Sequence, residues 1–415
     1  MVPSLEVFDS SFGENRSVGT ARFSLRRGVV STTFFYGDEW LADGTSSYAI
    51  DPALPLAPGP QHVQGMPGAF RDSAPDRWGR TLIERDRREE AVRDGSVLRQ
   101  LDEVDYLVGV FDQTREGSLR FRESNGEFLA ASAAIPPLVQ LPKLVHASRE
   151  VANDEAGRAE IKELLAAGSG SLGGARPKAS VCDGNRLLLA KFSHKDDEWD
   201  VMAWEKTMLD LARDARMPVP ASRLVSIGAE RVLLLERFDR EDSLMEGRRI
   251  PYMSAMTALE SSDGEQRDYA ELAEAVTQLS TKPTTELEAL FARVAFSVAV
   301  GNTDDHLRNW GFLRNDKGWT LSPLFDVNPT AYENSQRVTT IAGESREREV
   351  RGLRDLAAYC GLSPDDARHI VSGVVAAVEG WRNAARRNGC PEREQALFAP
   401  LFAKKLHELR GAFEL

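Results

Sequence analysis

One short polar segment carries side chains at a spacing that suits phosphoryl transfer. Residues 301–309 read Gly-Asn-Thr-Asp-Asp-His-Leu-Arg-Asn and follow an apolar run, Leu290–Val300. Loops that follow buried elements are common positions for catalytic groups. Asp304 and Asn309 have the D-x4-N spacing of a kinase catalytic loop. There the aspartate accepts the proton of the substrate hydroxyl, and the asparagine oxygen holds a magnesium ion.

A second carboxylate follows at a distance that suits a metal site. Asp326 lies seventeen residues after Asn309, beyond a strand-like stretch at Trp319–Leu321. Mg²⁺ takes a few hard oxygen ligands together with waters and phosphates, and a carboxylate and an amide can supply these. The alternative is a polar loop between helices. His306 has two interpretations, a nucleotide or Asp304 contact and a structural hydrogen bond.

A glycine-rich segment precedes these residues. Gly168, Gly170 and Gly173 match G-x-G-x-x-G, but a helical stretch precedes them and a strand-like stretch follows. A dinucleotide-binding fingerprint has the opposite order, and a P-loop needs a Lys-Ser/Thr pair after the last glycine. A glycine-rich loop that leads into a β-hairpin is how protein kinases cover ATP phosphates. The alternative is a surface loop without a ligand.

The strand-like run Arg186–Phe192 contains a lysine among leucines. Alternation places Leu187, Leu189 and Lys191 on one face. A lysine on an apolar face needs an anionic partner, which a nucleotide phosphate would supply, with Glu205 of the next helix as a plausible second carboxylate. The alternative is a strand-end lysine that reaches solvent.

Val232–Phe238 is a buried strand that ends where two lobes would join. Its backbone could read adenine, with Phe238 as apolar packing. A plain core strand is the alternative.

The elements that must position these residues divide the chain into a β-rich start, a small sheet with one helix, and a helical remainder. Strands are expected at Leu5–Phe8, Val18–Phe23 and Val29–Phe35, then a helix over 76–93 and a linker over Ala130–Pro142. We expect a hairpin of Lys178–Cys182 and Arg186–Phe192 joined by Asp183-Gly-Asn, a helix Trp199–Arg216, and strands Ser222–Ile227 and Arg231–Phe238. Helices are expected at 256–261, 267–279, 284–300, 350–359, 363–388 and 392–414. The fold class is therefore α+β, a protein-kinase-like two-lobed fold with a small N-terminal β-rich extra domain and an all-helical C-terminal lobe. The predicted domains are 1–142, 143–240 and 241–415.

Composition limits the possible functions. The 415 residues are 42% hydrophobic and 28% charged, which is typical of a globular protein and excludes a disordered or fibrous chain. The net charge of −12 makes a stand-alone nucleic-acid binder an unfavourable interpretation. Three distant cysteines argue against a disulfide framework. No signal peptide and no apolar run long enough for a bilayer are visible, so we expect a cytoplasmic protein without a membrane partner.

Together these stretches resemble the HipA family of bacterial serine/threonine kinase toxins. The stretches that carry the resemblance stand in family order: Ser171–Lys178, Leu189–Phe192, Leu235–Arg240, Gly301–Asn309 and Leu321–Asp326. The N-terminal strands and Pro67–Asp76 are similar to the extra N-terminal domain of the family.

The resemblance implies a kinase that uses ATP and Mg²⁺. By motif position, Asp304 is the catalytic base, and Asn309 and Asp326 are metal ligands. Cofactor-binding roles fall on the phosphate loop, a phosphate-holding lysine, the adenine connector and three residues around the catalytic carboxylates. In that order these residues are Gly173, Gly174, Ala175, Arg176, Pro177 and Lys178; Lys191; Glu236, Arg237 and Phe238; and His306, Phe325 and Asp326.

Ser171 matches the autophosphorylation position of the family, with Ser169 as an alternative acceptor. Phosphate there adds about −1.5 to −2 charges to a loop that embraces ATP phosphates, so it should inactivate the enzyme.

The resemblance also implies a helix-turn-helix, HipB-like antitoxin, operator DNA bound only through the toxin–antitoxin complex, and a protein substrate of the aminoacyl-tRNA synthetase class. Two other functions stay open: a small-molecule kinase on the same scaffold, and a non-catalytic antitoxin-binding co-repressor.

Overall fold

The structure is a computed structural model that describes residues 4–129, 134–169, 174, 176–241, 248–332, 335–345 and 348–415. The chain forms two compact units. The first unit comprises Met1–Asp196 and Ser226–Met253, and the second comprises Asp197–Val225 and Ser254–Leu415. The three predicted domains are continuous ranges, whereas each compact unit combines two separate ranges. The predicted boundaries therefore stay predictions.

The first unit begins with an antiparallel sheet in the strand order β4-β3-β2-β1-β5. Its strands are β1 (Ser4–Asp9), β2 (Arg16–Arg26), β3 (Val29–Tyr36), β4 (Gln61–Gln64) and β5 (Leu119–Arg122). In β3 the alternating residues Val30, Thr32, Phe34 and Tyr36 are buried, as the period of two of a half-buried strand requires. The three strands expected here are confirmed.

Short helices surround this sheet and connect it to a second one. They are α1 (Asp38–Ala42), α2 (Gly68–Asp72), α3 (Arg77–Asp94), α4 (Glu103–Val108), α5 (Leu141–Ala152) and α6 (Arg158–Ala166), with 3₁₀ turns at Asp112–Thr114 and Leu138–Gln140. Helix α5 begins inside the expected linker. Pro142 lies in its first turn, where a missing N–H is no loss, and Leu141, Leu144, Val145 and Val151 are buried on one side.

The second sheet has the strand order β6-β7-β9-β8. The strands are β6 (Lys178–Asp183), β7 (Arg186–Phe192), β8 (Ser222–Ile227) and β9 (Glu230–Glu236). Strands β6 and β7 form the expected hairpin, with Gly184 in the left-handed region at φ 58°. This turn sets the register that places Lys178 opposite Lys191.

The second unit is mainly helical. Its helices are α7 (Val201–Asp214), α8 (Ala255–Ala258), α9 (Tyr269–Leu279), α10 (Pro283–Ala299), α11 (Glu349–Tyr359), α12 (Pro364–Glu379), α13 (Trp381–Arg387) and α14 (Glu392–Phe413). The helix expected over 363–388 is interrupted at Gly380. Trp204 of α7 packs against Phe398 of α14 with ring centroids 4.4 Å apart, and α10 is buried along most of its second half.

A small sheet corrects the expectation of an all-helical C-terminal lobe. Strands β10 (Tyr252–Ser254), β11 (Gly311–Asn315) and β12 (Gly318–Leu321) form a sheet in that order. Only β12 was expected from the sequence. No helix within the described ranges is long and apolar enough to cross a membrane. The α+β class is confirmed.

Candidate functional site

The catalytic-loop candidate begins at a glycine that no larger residue can replace without strain. Gly301 follows α10 with φ 66°, and a Cβ at this position would lie 2.8 Å from Leu401 Cδ1. The Asn302 amide donates to Ser297 O at 2.9 Å, which closes the end of the helix. Farther on, the Val338 amide donates to Thr303 O at 3.0 Å. The start of the loop is therefore fixed on both sides by backbone contacts.

Asp305 anchors the middle of this loop. It is 5% exposed, and its two carboxylate oxygens accept hydrogen bonds from Trp310 Nε1 at 2.9 Å and from the Tyr269 hydroxyl at 2.5 Å. Thr339 donates to the Asp305 carbonyl at 2.7 Å. Burial and the neighbouring carboxylate hold the pKa of Tyr269 well above its usual range, so this phenol stays a donor. Asp305 is thus a structural residue.

Asp304, the preceding residue, differs from Asp305 in its exposure. Its side chain is exposed, and the Asn309 side-chain amide donates to the Asp304 carbonyl at 3.2 Å. The structure therefore brings these two predicted residues together. The arrangement can present a carboxylate to a substrate hydroxyl while its backbone stays fixed.

In the chain order, Asn309 and Asp326 flank one hairpin. Strands β11 and β12 pair, with Phe312 opposite Leu321, and the Ser322 amide donates to Gly311 O at 2.8 Å. Asn309 precedes this hairpin by two residues, and Asp326 follows it by five. Both ligand candidates therefore leave the hairpin from its open end.

The backbone of Asp326 is itself unusual. Its φ of 55° is in the left-handed region, which few non-glycine residues occupy, although aspartate tolerates it better than most. Such conformations cost about 1 kcal/mol or more and are concentrated at functional sites. Phe325 and Asp326 are both half-buried.

His306 supports a ligand beside this loop. Its ring is half-buried, and within the described part of the chain Nδ1 is shielded from solvent without a hydrogen-bond partner. A buried polar atom of this kind is costly unless something else bonds to it, and a nucleotide would do so. The donor set fits Mg²⁺ bound with phosphates, since an amide oxygen and a carboxylate leave positions for phosphate and water. The residues that the structure describes contain no cluster of three or more His, Cys, Asp or Glu arranged for a metal.

A buried ion network behind the loop was not found from the sequence. Arg337 Nε donates to Glu349 Oε2 at 2.9 Å, and Lys405 Nζ lies 2.6 Å from Glu349 Oε1. Arg337 also donates to the Ser297 hydroxyl at 3.2 Å. These residues come from distant parts of the chain, so no local spacing connects them.

In the first unit, two lysines lie opposite each other on one face of a sheet. Lys178 of β6 and Lys191 of β7 are direct partners in the register and are 3% and 5% exposed. Directly opposed residues on antiparallel strands share a face. Two ammonium groups so placed suit an anion such as phosphate. Glu205, the proposed second carboxylate, is fully buried on α7, in the second unit.

The phosphate-loop candidates are described only in part. Gly173, Ala175 and Ser171 lie outside the described residues. Gly174 has φ 101°, a conformation that residues with side chains rarely adopt, so the backbone favours glycine here. Pro177 O accepts from the Phe192 amide at 3.0 Å, and Arg176 is half-buried. Ser169, the alternative acceptor, is fully buried.

The adenine-connector candidates, residues 236–238, lie at the end of β9 and directly after it. The Arg237 amide donates to Leu187 O at 3.0 Å, so this N–H belongs to the sheet. Its guanidinium is buried in an ion pair with Asp239, with Nε to Oδ1 at 2.6 Å. Glu236 is half-buried, and Phe238 packs against Tyr252 with ring centroids 6.3 Å apart. The side chain of Arg237 therefore has a structural role.

The fold and these residues define an α+β protein of kinase-like architecture. Two family models match the chain: a HipA-like C-terminal domain matches residues 170–381, just over half of the chain, and a HipA N-terminal domain matches residues 12–104. The chain belongs to the HipA family.

Individual proteins resemble this chain to different extents. A chain of the Shewanella oneidensis MR-1 toxin–antitoxin complex of HipA, HipB and operator DNA has a TM-score of 0.67 at 16% identity, covering 98% of this chain and 96% of that one. The proinflammatory kinase CtkA of Helicobacter pylori has a TM-score of 0.34 at 13% identity, covering 51% of this chain and 94% of that one. "Putative kinase Y4mE" of Sinorhizobium fredii (strain NBRC 101917 / NGR234) is 27% identical over 119 residues, which span 28% of this chain and 22% of that protein.

Proposed function

We propose that this protein is an ATP- and Mg²⁺-dependent serine/threonine protein kinase and the toxin of a HipA/HipB-like toxin–antitoxin system. One observation carries the proposal. Asp304 is exposed on a loop that the buried carboxylate of Asp305 holds from behind, and Asn309 bonds to the Asp304 backbone. That is the geometry in which a base and a metal ligand act from one rigid segment.

The proposed residue roles are those that the family resemblance implies by motif position. Asp304 accepts the proton of the substrate hydroxyl, and Asn309 and Asp326 hold Mg²⁺, which when bound neutralises charge on the phosphates. Lys191 and residues 173–178 bind the phosphates. Residues 236–238, His306 and Phe325 contact the nucleotide. Phosphoryl transfer needs little covalent help, so catalysis is mainly positioning and charge neutralisation.

The partner proposal rests on the family and on the Shewanella complex. That complex contains HipA, HipB and operator DNA. We propose a helix-turn-helix, HipB-like antitoxin for this chain as well, with operator DNA bound through the antitoxin. A net charge of −12 favours a partner that supplies the DNA contacts. The proposed substrate class is the aminoacyl-tRNA synthetases, whose phosphorylation would inhibit translation in the cytoplasm.

Autophosphorylation is proposed at Ser171. Ser169 is fully buried, which disfavours it as an acceptor because a buried hydroxyl cannot reach a γ-phosphate without local opening. Phosphate on the loop adds about −1.5 to −2 charges, which would repel ATP and inactivate the kinase.

The direct test is transfer of label from γ-labelled ATP with Mg²⁺ into a cell lysate and into the protein itself. We expect label on serine or threonine of protein. Label in a small metabolite would instead support a small-molecule kinase. If calorimetric titration detects no Mg-ATP binding, the non-catalytic co-repressor becomes the better interpretation.

A further inference from the structure

The N-terminal part of the chain holds the start of the glycine-rich segment. Gly168 has φ 61°, and a Cβ there would lie 2.2 Å from Thr114 Oγ1, so the backbone of Gly168 lies directly against this side chain. Thr114 is at the end of a 3₁₀ turn, Asp112–Thr114, and is fully buried. Ser169, the next residue, is fully buried as well. The beginning of the segment is therefore packed into the N-terminal region.

The far end of the segment is held by a different residue of the same region. The Gly174 amide donates to Asp76 Oδ2 at 2.6 Å. Asp76 is the residue that precedes α3, and its carboxylate makes no bond to the amides of that helix. A hydrogen bond to a charged acceptor contributes about 1.5–3 kcal/mol, more than a bond between neutral groups. We call Asp76 and Thr114 the N-terminal clasp.

The same turn also holds the connector after β9. Arg237 Nη1 donates to Thr114 O at 3.0 Å, and the Gly117 amide donates to Asp239 Oδ2 at 2.8 Å. Residues 114–117 thus contact both the start of the glycine-rich segment and residues 237–239. Residues 114–117 therefore link Gly168 to the connector within the first unit.

We propose that Asp76 is a positioning residue that holds the Gly174 amide in place for nucleotide binding. This inference rests on the proposed kinase function. A backbone group that is already held in place loses less conformational freedom when a ligand binds beside it, so the anchoring contact appears as affinity for the nucleotide. Asp76 acts through Gly174 and not on the chemical step.

The first test is hydrogen exchange of the peptide that contains Gly174, measured without nucleotide. Asp76→Ala should exchange about tenfold faster than wild type, because the bond of a charged acceptor is lost. Asp76→Asn keeps a neutral oxygen acceptor and should exchange at a rate between those of wild type and Asp76→Ala. Asp94→Ala, an exposed site at the end of the same helix, is the control. Equal exchange rates in Asp76→Ala and wild type would show that Asp76 does not hold the Gly174 amide.

The second test is kinetic. Asp76→Ala should raise KM for ATP about tenfold with kcat close to wild type, and Asp76→Asn should have an intermediate KM. A fall in kcat at unchanged KM, or a lower KM, would overturn the positioning role. If wild-type protein itself transfers no phosphate, the kinase proposal fails, while hydrogen exchange still decides whether Asp76 holds Gly174. Thermal unfolding of each variant identifies one that has simply failed to fold.

Discussion

Asp305 and Trp310 are joined by a 2.9 Å hydrogen bond from the indole Nε1 to Oδ1, and this bond closes the segment on which Asp304 and Asn309 lie. Asp305 and Trp310 are five residues apart in the sequence. Asp304 and Asn309 have the same separation and lie one position earlier. The buried pair therefore holds the loop, and the proposed catalytic pair is more exposed.

The first prediction concerns this anchor. Asp305→Ala leaves the buried donors of Trp310 and Tyr269 without an acceptor, so unfolding free energy should fall by about 2–3 kcal/mol in urea titration. Asp305→Asn should fall between wild type and alanine, since its amide keeps one oxygen. Asp316→Ala, on the exposed turn between β11 and β12, is the control and should stay within about 0.5 kcal/mol of wild type. A similarly small change for Asp305→Ala would contradict the anchoring role.

The second prediction separates chemistry from folding at Asp304. Because this side chain is exposed, Asp304→Ala should leave the unfolding midpoint unchanged. Loss of a general base should lower γ-phosphate transfer by about two to four orders of magnitude. Asp326→Ala should also lower transfer strongly, and its residual activity should need more Mg²⁺ than wild type, which is its signature. Wild-type-like turnover in either variant would remove that residue from the site.

The third prediction concerns self-inactivation. Ser171→Ala should keep initial kinase activity and lose the decline of ATP turnover with time, because no phosphate is added to the loop. Ser169→Ala is the matched control, since its hydroxyl is buried and should not be the acceptor. Persistent decline in the Ser171→Ala protein, with phosphate mapped to another residue, would refute the assignment.

The fourth prediction is a pH dependence. Burial raises the pKa of Glu116 to about 8, with Asp239, Asp72 and Asp76 adding to the effect and Arg237 opposing it. The folded state then binds a proton that the unfolded state has lost above its ordinary pKa. Stability from this group is therefore present at low pH and declines between about pH 4.5 and 8.

Glu116→Gln isolates this effect. The thermal unfolding temperature of the wild type should fall as the pH rises from about 5 to 8.5, and that of the variant should fall less steeply. Asp51, whose pKa burial raises to about 6, contributes to both proteins in the lower part of this window and cancels in the difference. Glu116 keeps some solvent contact, so the difference should be smaller than for full burial. Parallel curves would show that Glu116 is ionised in the folded protein.

Much of the fold was predictable because local patterns specify it. Alternation identified the first three strands and the hairpin of β6 and β7, and a glycine turn set that hairpin's register. Helix α5 was missed because Ala and Pro suggested a linker, although Leu141, Leu144 and Val151 stand at helical spacing. Strand β11 was missed because it is short and follows a polar loop.

The sequence by itself determined the α+β class and the D-x4-N segment, because period, turn chemistry and short-range spacing are local properties. It also placed Asp304 and Asn309 together, since five residues cannot separate far. Tertiary structure alone decided that Asp305 is turned inward to Trp310 and Tyr269 while Asp304 is exposed. It alone brought Asp76 to Gly174, which lies 98 residues away. Contacts of this kind depend on packing between distant elements, and no local pattern in a single chain specifies them.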